Sequence, residues 1–169
     1  MRPFRAALAA FLVMAAFLAC GRGRPSPTVL VGDGDTELLR IAEAAGATLP
    51  IFLDRLNGPK RGESGFAVKL RLPGPEDGDA GEEQVWLGNI GFAGGNFHGT
   101  LSNAPVLPGS PAKGERVRFG ADRITDWMFL RDGMIVGGRS IRYLLLSIPE
   151  EERDERQRAI LAMFAEDGL

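Results

Sequence analysis

The sequence predicts a single α+β domain built on a bent antiparallel sheet of five to six strands. An N-terminal kinked helix should cross one face of the sheet, and C-terminal helices should pack against it. Three observations support this class: one long stretch has helical periodicity, several short stretches alternate apolar and polar residues, and glycine and proline separate the apolar runs. A length of 169 residues suits one domain with its own core.

The first element is a helix predicted from Thr36 to Asn57. Its apolar face recurs every three or four residues, at Leu38, Ala42, Ala45, Leu49, Phe52 and Leu56. Asp35 is placed to cap the helix, and Asn57-Gly58-Pro59 ends it. Pro50 interrupts the helix without changing its apolar register, so we expect one kinked helix rather than two.

The strands follow the helix. Ser64 to Leu72 alternates strictly between apolar and polar residues, which is typical of a half-buried strand. Glu83 to Pro105 alternates on both sides of Gly94-Gly95 and is predicted to be a hairpin. Three shorter strands are predicted at Glu115–Phe119, Ile124–Leu130 and Met134–Val136. Asp132-Gly133 is a type I′ turn signal between the last two.

The C-terminal part is predicted to be helical. Helical spacing begins at Arg139. The segment from Ser147 to Glu150 fits a capping box with a proline near the first helical position, so a last helix should begin there. The apolar face predicted for it consists of Ile160, Leu161, Met163 and Phe164.

The N-terminus has the composition of an export signal. Arg2 and Arg5 precede an uncharged apolar run, Ala6 to Ala19, that is shorter than the ~20 residues needed to span a bilayer core. Phe17-Leu-Ala-Cys-Gly resembles the lipobox of bacterial lipoproteins, with Phe17 standing where Leu is usual. The resemblance implies cleavage before Cys20 and lipidation of Cys20, with palmitate as an acyl chain. We therefore expect a lipoprotein signal peptide at 1–19, a flexible tether at 20–34 and the domain at 35–169.

Two other outcomes remain open for this leader: an ordinary signal peptide that leaves a free thiol, or an uncleaved anchor. Lipidation would remove an odd cysteine from an oxidising compartment. The chain has one Cys, so no disulfide can form within the mature domain. The predicted location is the cell envelope, with the protein lipid-anchored on the periplasmic side of a bacterial membrane, the outer membrane being favoured over the inner.

Six segments in fixed order identify a family resemblance. They are Phe66–Lys69, Glu83–Trp86, Phe97–Pro105, Lys113-Gly114, Ile124–Met128 and Gly137–Arg142. Together they resemble an uncharacterised bacterial family, domain of unknown function 2314, over about Ala42 to Leu146. The resemblance implies a compact α+β domain and carries no activity. Copies in this family are often soluble or attached to other modules, so a lipoprotein leader is a departure.

The ionisable side chains give weak support for catalysis. His98 is the only His, and as a strand residue it is more readily explained by hydrogen bonding than as a general base. One His and a lipidated Cys cannot assemble a zinc site, and no metal or other cofactor is predicted. Glu83 and Asp126 are the candidate acids for glycoside-type hydrolysis. Asp126 should point inward, and the interpretation we favour pairs it with Arg142 or Arg139.

The two tryptophans complete the list of candidates. Trp86 and Trp127 are predicted to pack under the helices on the second face of the sheet, or alternatively to form an aromatic binding platform. Asn103 is interpreted as a residue that fixes a turn. The candidate binding residues are Trp86, His98, Asn103, Asp126, Trp127 and Arg142.

The function predicted from the sequence is that of a non-catalytic binding or interaction module in the envelope. Its ligand would be an envelope protein or a glycan. A formal charge of −2 without a basic run argues against nucleic acid. The alternatives are a carboxylate-based hydrolase acting on an envelope polymer or lipid, and a purely structural lipoprotein.

Overall fold

The computed structural model describes residues 35–72 and 82–164. The predicted signal peptide at 1–19 and the predicted tether at 20–34 lie outside the described residues. Three α-helices and six strands are described: α1 (Thr36–Asn57), β1 (Glu63–Leu72), β2 (Glu83–Ala93), β3 (Asn96–Leu101), β4 (Arg116–Phe119), β5 (Ile124–Arg131), β6 (Met134–Gly137), α2 (Arg139–Leu146) and α3 (Glu155–Leu161). Short 3₁₀ turns lie at Ala121–Arg123 and Glu150–Glu152.

The strands form one sheet in the order β4-β3-β2-β1-β5-β6, and every neighbouring pair is antiparallel. The α+β prediction is therefore confirmed. Asp132 and Gly133 have φ of 50° and 86°, as the predicted type I′ turn between β5 and β6 requires. Among the described residues, no helix is long and apolar enough to cross a bilayer.

Helix α1 covers the first face of the sheet. Asp35 caps it, because its Oδ1 accepts from the backbone N–H groups of Glu37 and Leu38 at 3.0 and 3.3 Å. The buried stripe of the helix is Leu38, Ile41, Ala45, Leu49 and Phe52. Pro50 lies inside a continuous helix, as the unbroken apolar register predicts. Ala45, Leu49 and Phe52 of this stripe belong to the larger apolar core of the protein.

The second face of the sheet carries a smaller core beneath α2 and α3. Its members come from β1, β2, β5, β6, the two helices and the residues after α3, and none of the described members comes from β3 or β4. Helices therefore cover one half of this face. We call the part of the face over β1, β5, β6 and Trp86 of β2 the covered half, and the part over β3, β4 and residues 88–93 of β2 the open half.

The start of the last helix differs from the sequence prediction. Asp154, not Ser147, is the N-cap of α3, and Gln157 completes a reciprocal capping box with it. Arg153 explains the delay, since its Nε donates to the carbonyl oxygens of Leu145 and Ile148 at 3.1 and 2.9 Å. The segment after α2 is thereby tied back to the end of α2 before a new helix can begin.

Candidate functional site

Asp126 anchors the start of helix α2. Its side chain is completely buried, and its two carboxyl oxygens accept backbone N–H groups from Trp127 at 2.8 Å and from Ser140 at 2.7 Å. Gly138, the N-cap of α2, is left-handed with φ of 65° and offers no side chain as a cap. The Asp126 carboxyl group therefore supplies the acceptor and the negative charge that the helix N-terminus lacks.

The predicted ion pair of Asp126 with an arginine is wrong. Arg139 lies over the ring of Trp127, at 5.4 Å from its centroid, and the exposed Arg142 lies 6.0 Å from the ring centroid of Phe164. Within the described ranges neither arginine has an ion pair. The turn before α2 brings a backbone amide to the carboxyl group and directs both guanidinium groups elsewhere. Arg142 is therefore placed away from Asp126.

The charge that faces Asp126 belongs to Lys69, which the sequence analysis placed on a polar strand face. The two residues are directly opposite each other on β1 and β5, and Lys69 is 6% exposed. Burial lowers the pKa of Lys69, and Asp126 acts to raise it. Burial raises the pKa of Asp126, whereas hydrogen bonds from Ser140 and Trp127 and the charge on Lys69 act to lower it. The pairing depends on strand order, which the alternation of β1 alone does not reveal.

Glu83 also has a structural role. It is completely buried, its carboxyl oxygens accept the backbone N–H of Val106 at 2.9 and 3.0 Å, and Oε2 accepts that of Leu107 at 3.1 Å. Its cross-strand neighbour is Leu72, a member of the larger core on the first face. Asp126 lies on the second face, so the predicted pairing of Glu83 and Asp126 as catalytic acids is wrong.

The two tryptophans lie on opposite faces of the sheet, so they cannot form one shared platform. Trp127 is completely buried under α1, where its Nε1 donates to the carbonyl of Ala45 at 3.1 Å and its ring lies 5.5 Å from that of Phe52. Trp86 is half-buried beside the smaller core on the second face. The prediction that both lie on the second face is therefore correct for Trp86 and wrong for Trp127.

Asn103 holds the segment after β3 against β2. Its Oδ1 accepts the backbone N–H of Trp86 at 2.9 Å, and the N–H of Ser102 donates to the carbonyl of Trp86 at 2.8 Å. The side chain of Asn103 therefore ties this segment to the neighbouring strand β2, whereas its predicted role in fixing a local turn stays a prediction.

The remaining candidate, His98, lies on the open half. It is directly opposite Gly91 on β2 and Arg118 on β4, and the next pair on that face joins Thr100 to Arg116. A methyl group at Gly91 would overlap the His98 imidazole, so the ring occupies the space that a side chain at position 91 would need. Glycine at position 91 leaves room for the imidazole ring.

The open half contains a concavity of about 420 Å³, lined by Ala93, His98, Arg116, Val117 and Arg118. Both arginines are exposed, and within the residues that the structure describes neither guanidinium has an ion pair or a hydrogen bond. The sequence analysis missed both arginines. The signal was available in the Arg-Val-Arg alternation of β4, which places both arginines on one strand face.

The described part of the chain offers no group of three or more His, Cys, Asp or Glu side chains that could hold a metal ion. It does bring a half-buried imidazole and two guanidinium groups together on one surface. Such a cluster can donate several hydrogen bonds to an anion. It contains no carboxylate that could act as a base or nucleophile toward a bound molecule.

Comparison with known proteins gives one family and two relatives. The family described as an uncharacterised protein conserved in bacteria, domain of unknown function 2314, matches residues 35–161. The chain is 30% identical over 141 residues to the uncharacterised protein YegJ of Escherichia coli. This alignment covers 82% of this chain and 88% of YegJ. It is 32% identical over 143 residues to a putative ankyrin repeat protein of Neisseria meningitidis serogroup B, covering 82% of this chain but 56% of that protein.

No solved structure matches the chain. The family match spans most of the chain, from the N-cap of α1 to the last residue of α3, and so includes the whole described sheet with both of its faces. The protein therefore belongs to the bacterial family of uncharacterised proteins known as domain of unknown function 2314.

Proposed function

We propose that this protein is a non-catalytic binding module of the bacterial cell envelope, and that it binds its partner on the open half of the sheet. The observation that carries the proposal is the cluster of the exposed Arg116 and Arg118 with the half-buried His98 around one concavity. Helices cover the rest of the same sheet face, while these residues remain available to a ligand.

The state of the two predicted acids favours binding over hydrolysis. A carboxylate-based hydrolase needs two acids that reach a substrate from a common site. Glu83 and Asp126 are both completely buried, lie on opposite faces, and are occupied by backbone N–H groups. The alternative of a purely structural lipoprotein predicts no concave site, and the concavity around His98 argues against it.

The envelope location rests on the leader, in which Cys20 ends a short apolar run after Arg2 and Arg5. Lipidation at Cys20 would attach the domain to the periplasmic side of a membrane through residues 20–34. Its test is metabolic labelling with a palmitate analogue followed by membrane fractionation. The wild-type chain should carry label and sediment with membranes, whereas Cys20→Ser should lose the label. Equal labelling of both chains would contradict lipidation at Cys20.

The binding role can be tested by photocrosslinking in cells. A photoreactive phenylalanine derivative replaces Thr100, which lies on the open half directly opposite Arg116 on β4 and Gly88 on β2. The matched control places the same group at the exposed Glu43 on α1. We expect a discrete adduct from position 100, and we expect Arg116→Gln with Arg118→Gln to reduce it. The same adducts from both positions, or none from position 100, would contradict a binding role for the open half.

A further inference from the structure

We infer that the concavity at His98, Arg116 and Arg118 binds a phosphomonoester dianion. This inference deepens the proposed binding function and rests on it. The site would hold the phosphate group itself, whether it is carried by a soluble molecule or by a lipid headgroup.

The hydrogen-bond donors of the site lie close together on one face of the sheet. Arg116 and Arg118 are two residues apart on β4, so their Cα atoms are about 7 Å apart and their side chains leave the same face. His98 is directly opposite Arg118, which places their Cβ atoms about 5 Å apart. Two guanidinium groups and one imidazole thus converge on one concavity.

The charge of the site matches that of a dianion. The two guanidinium groups bring two positive charges, and no described acid neutralises either of them. A carboxylate or a phosphodiester carries one negative charge and would leave one guanidinium uncompensated. A phosphomonoester carries close to two at neutral pH and has three acceptor oxygens, which matches two forked donors and an imidazole.

The position of the imidazole depends on the absence of a side chain at Gly91. Its ring occupies the space over Gly91 that any side chain there would fill. The Gly91 backbone has an ordinary negative φ, so alanine at this position would displace the ring without straining the chain. Gly91→Ala therefore tests the position of His98 without changing the charge of the site.

The experiment follows His98 by NMR while inorganic phosphate is added to the full chain in nonionic detergent. His98 is the only His in the chain, so its imidazole signals are unambiguous. We expect a saturable shift of these signals that sodium chloride at equal ionic strength does not reproduce. Arg116→Gln and Arg118→Gln should each weaken binding about tenfold. Gly91→Ala should weaken it several-fold.

The matched control is Arg156→Gln, which removes an exposed arginine on α3, outside the open half. This variant should bind phosphate like the wild type. The inference is overturned by the lack of a saturable shift, by an equal shift with chloride, or by unchanged binding in the Arg116→Gln and Arg118→Gln variants. If phosphate fails but position 100 still gives its crosslinked adduct, the binding module stands and the phosphate assignment is wrong.

A second titration distinguishes the sources of the phosphate. Glycerol phosphate represents a soluble phosphomonoester, and phosphatidylcholine vesicles with added phosphatidic acid represent a lipid headgroup. The stronger response identifies the source. Vesicles with phosphatidylglycerol, a phosphodiester, should bind more weakly than those with phosphatidic acid. Equal binding to both vesicle types would indicate unspecific charge attraction and would overturn the assignment.

Discussion

The two halves of the second sheet face use charged residues in opposite ways. In the covered half, Lys69 and Asp126 are 6% and 0% exposed, and Asp126 is satisfied by backbone N–H groups. In the open half, Arg116 and Arg118 are exposed and have no described partner. A charge in the first environment costs stability unless it is compensated, whereas a charge in the second costs little and remains available. Burial thus separates structural polar groups from those that can bind a ligand.

The largest effect that tests this comparison is expected for Asp126→Ala. The substitution leaves the N–H groups of Trp127 and Ser140 without their acceptor and Lys69 without its facing charge. We expect the free energy of unfolding to fall by about 3 kcal/mol or more. Urea unfolding followed by tryptophan fluorescence measures the change.

The control for this variant is Asp126→Asn, which keeps the size of the side chain and one acceptor oxygen. It should lose less stability than Asp126→Ala. A change within about 0.5 kcal/mol for Asp126→Ala would mean that the covered half does not depend on this carboxyl group.

A smaller loss is expected for Glu83→Ala. The carboxyl group of Glu83 binds the N–H groups of Val106 and Leu107. Val106 is 57% exposed, so water can reach the freed amides more readily than those around Asp126. We expect a loss of about 2 kcal/mol by urea unfolding. A loss equal to or greater than that of Asp126→Ala would contradict this ranking by access to water.

The sequence predicted local structure well and three-dimensional neighbours poorly. The bounds of α1 and the turn at Asp132-Gly133 follow from spacing and turn chemistry within a few residues. The pairing of Lys69 with Asp126 requires the order of the strands, which alternation does not contain. Sequence reasoning assigned Asp126 an arginine partner because it considered side chains, whereas the donor is the backbone of Ser140.

The site illustrates the same limit. His98 was identified because it is the only His, but its neighbours on β4 depend on a pairing between strands separated by a long loop. Trp127 lies in one of the six segments that carry the family resemblance, yet it is buried under α1. Local patterns therefore identified unusual residues without deciding which of them face solvent.

The pH dependence of stability gives a third test of the covered half. Burial raises the pKa of Asp126, so just above the ordinary carboxyl range the folded protein binds more protons than the unfolded chain. The contribution of Asp126 to stability should therefore decline as pH rises from about 4 through its raised folded pKa. Asn at this position cannot titrate. As pH rises, the free energy of unfolding of the wild type should therefore fall relative to that of Asp126→Asn.

This difference is measured by urea unfolding of both proteins from acid to neutral pH, where other carboxyl groups contribute equally and cancel. Burial lowers the pKa of Lys69, so its contribution changes in the opposite direction, between its lowered pKa and the ordinary value of 10.5. The comparison should stay below that range. A difference that is constant with pH, or that shifts in favour of the wild type, would contradict the raised pKa of Asp126.

The smallest effect is expected in the open half. Replacing Arg116 and Arg118 together by Gln should change the free energy of unfolding by no more than about 0.5 kcal/mol, as should the control Arg156→Gln. The two arginines are exposed and have no described partners. Replacing them therefore neither relieves the cost of a buried charge nor leaves a buried group without a hydrogen-bond partner. A loss above about 1 kcal/mol would make these residues structural and remove the contrast between the halves. An unchanged stability would mean that any loss of phosphate binding in the same variants reports on the site itself.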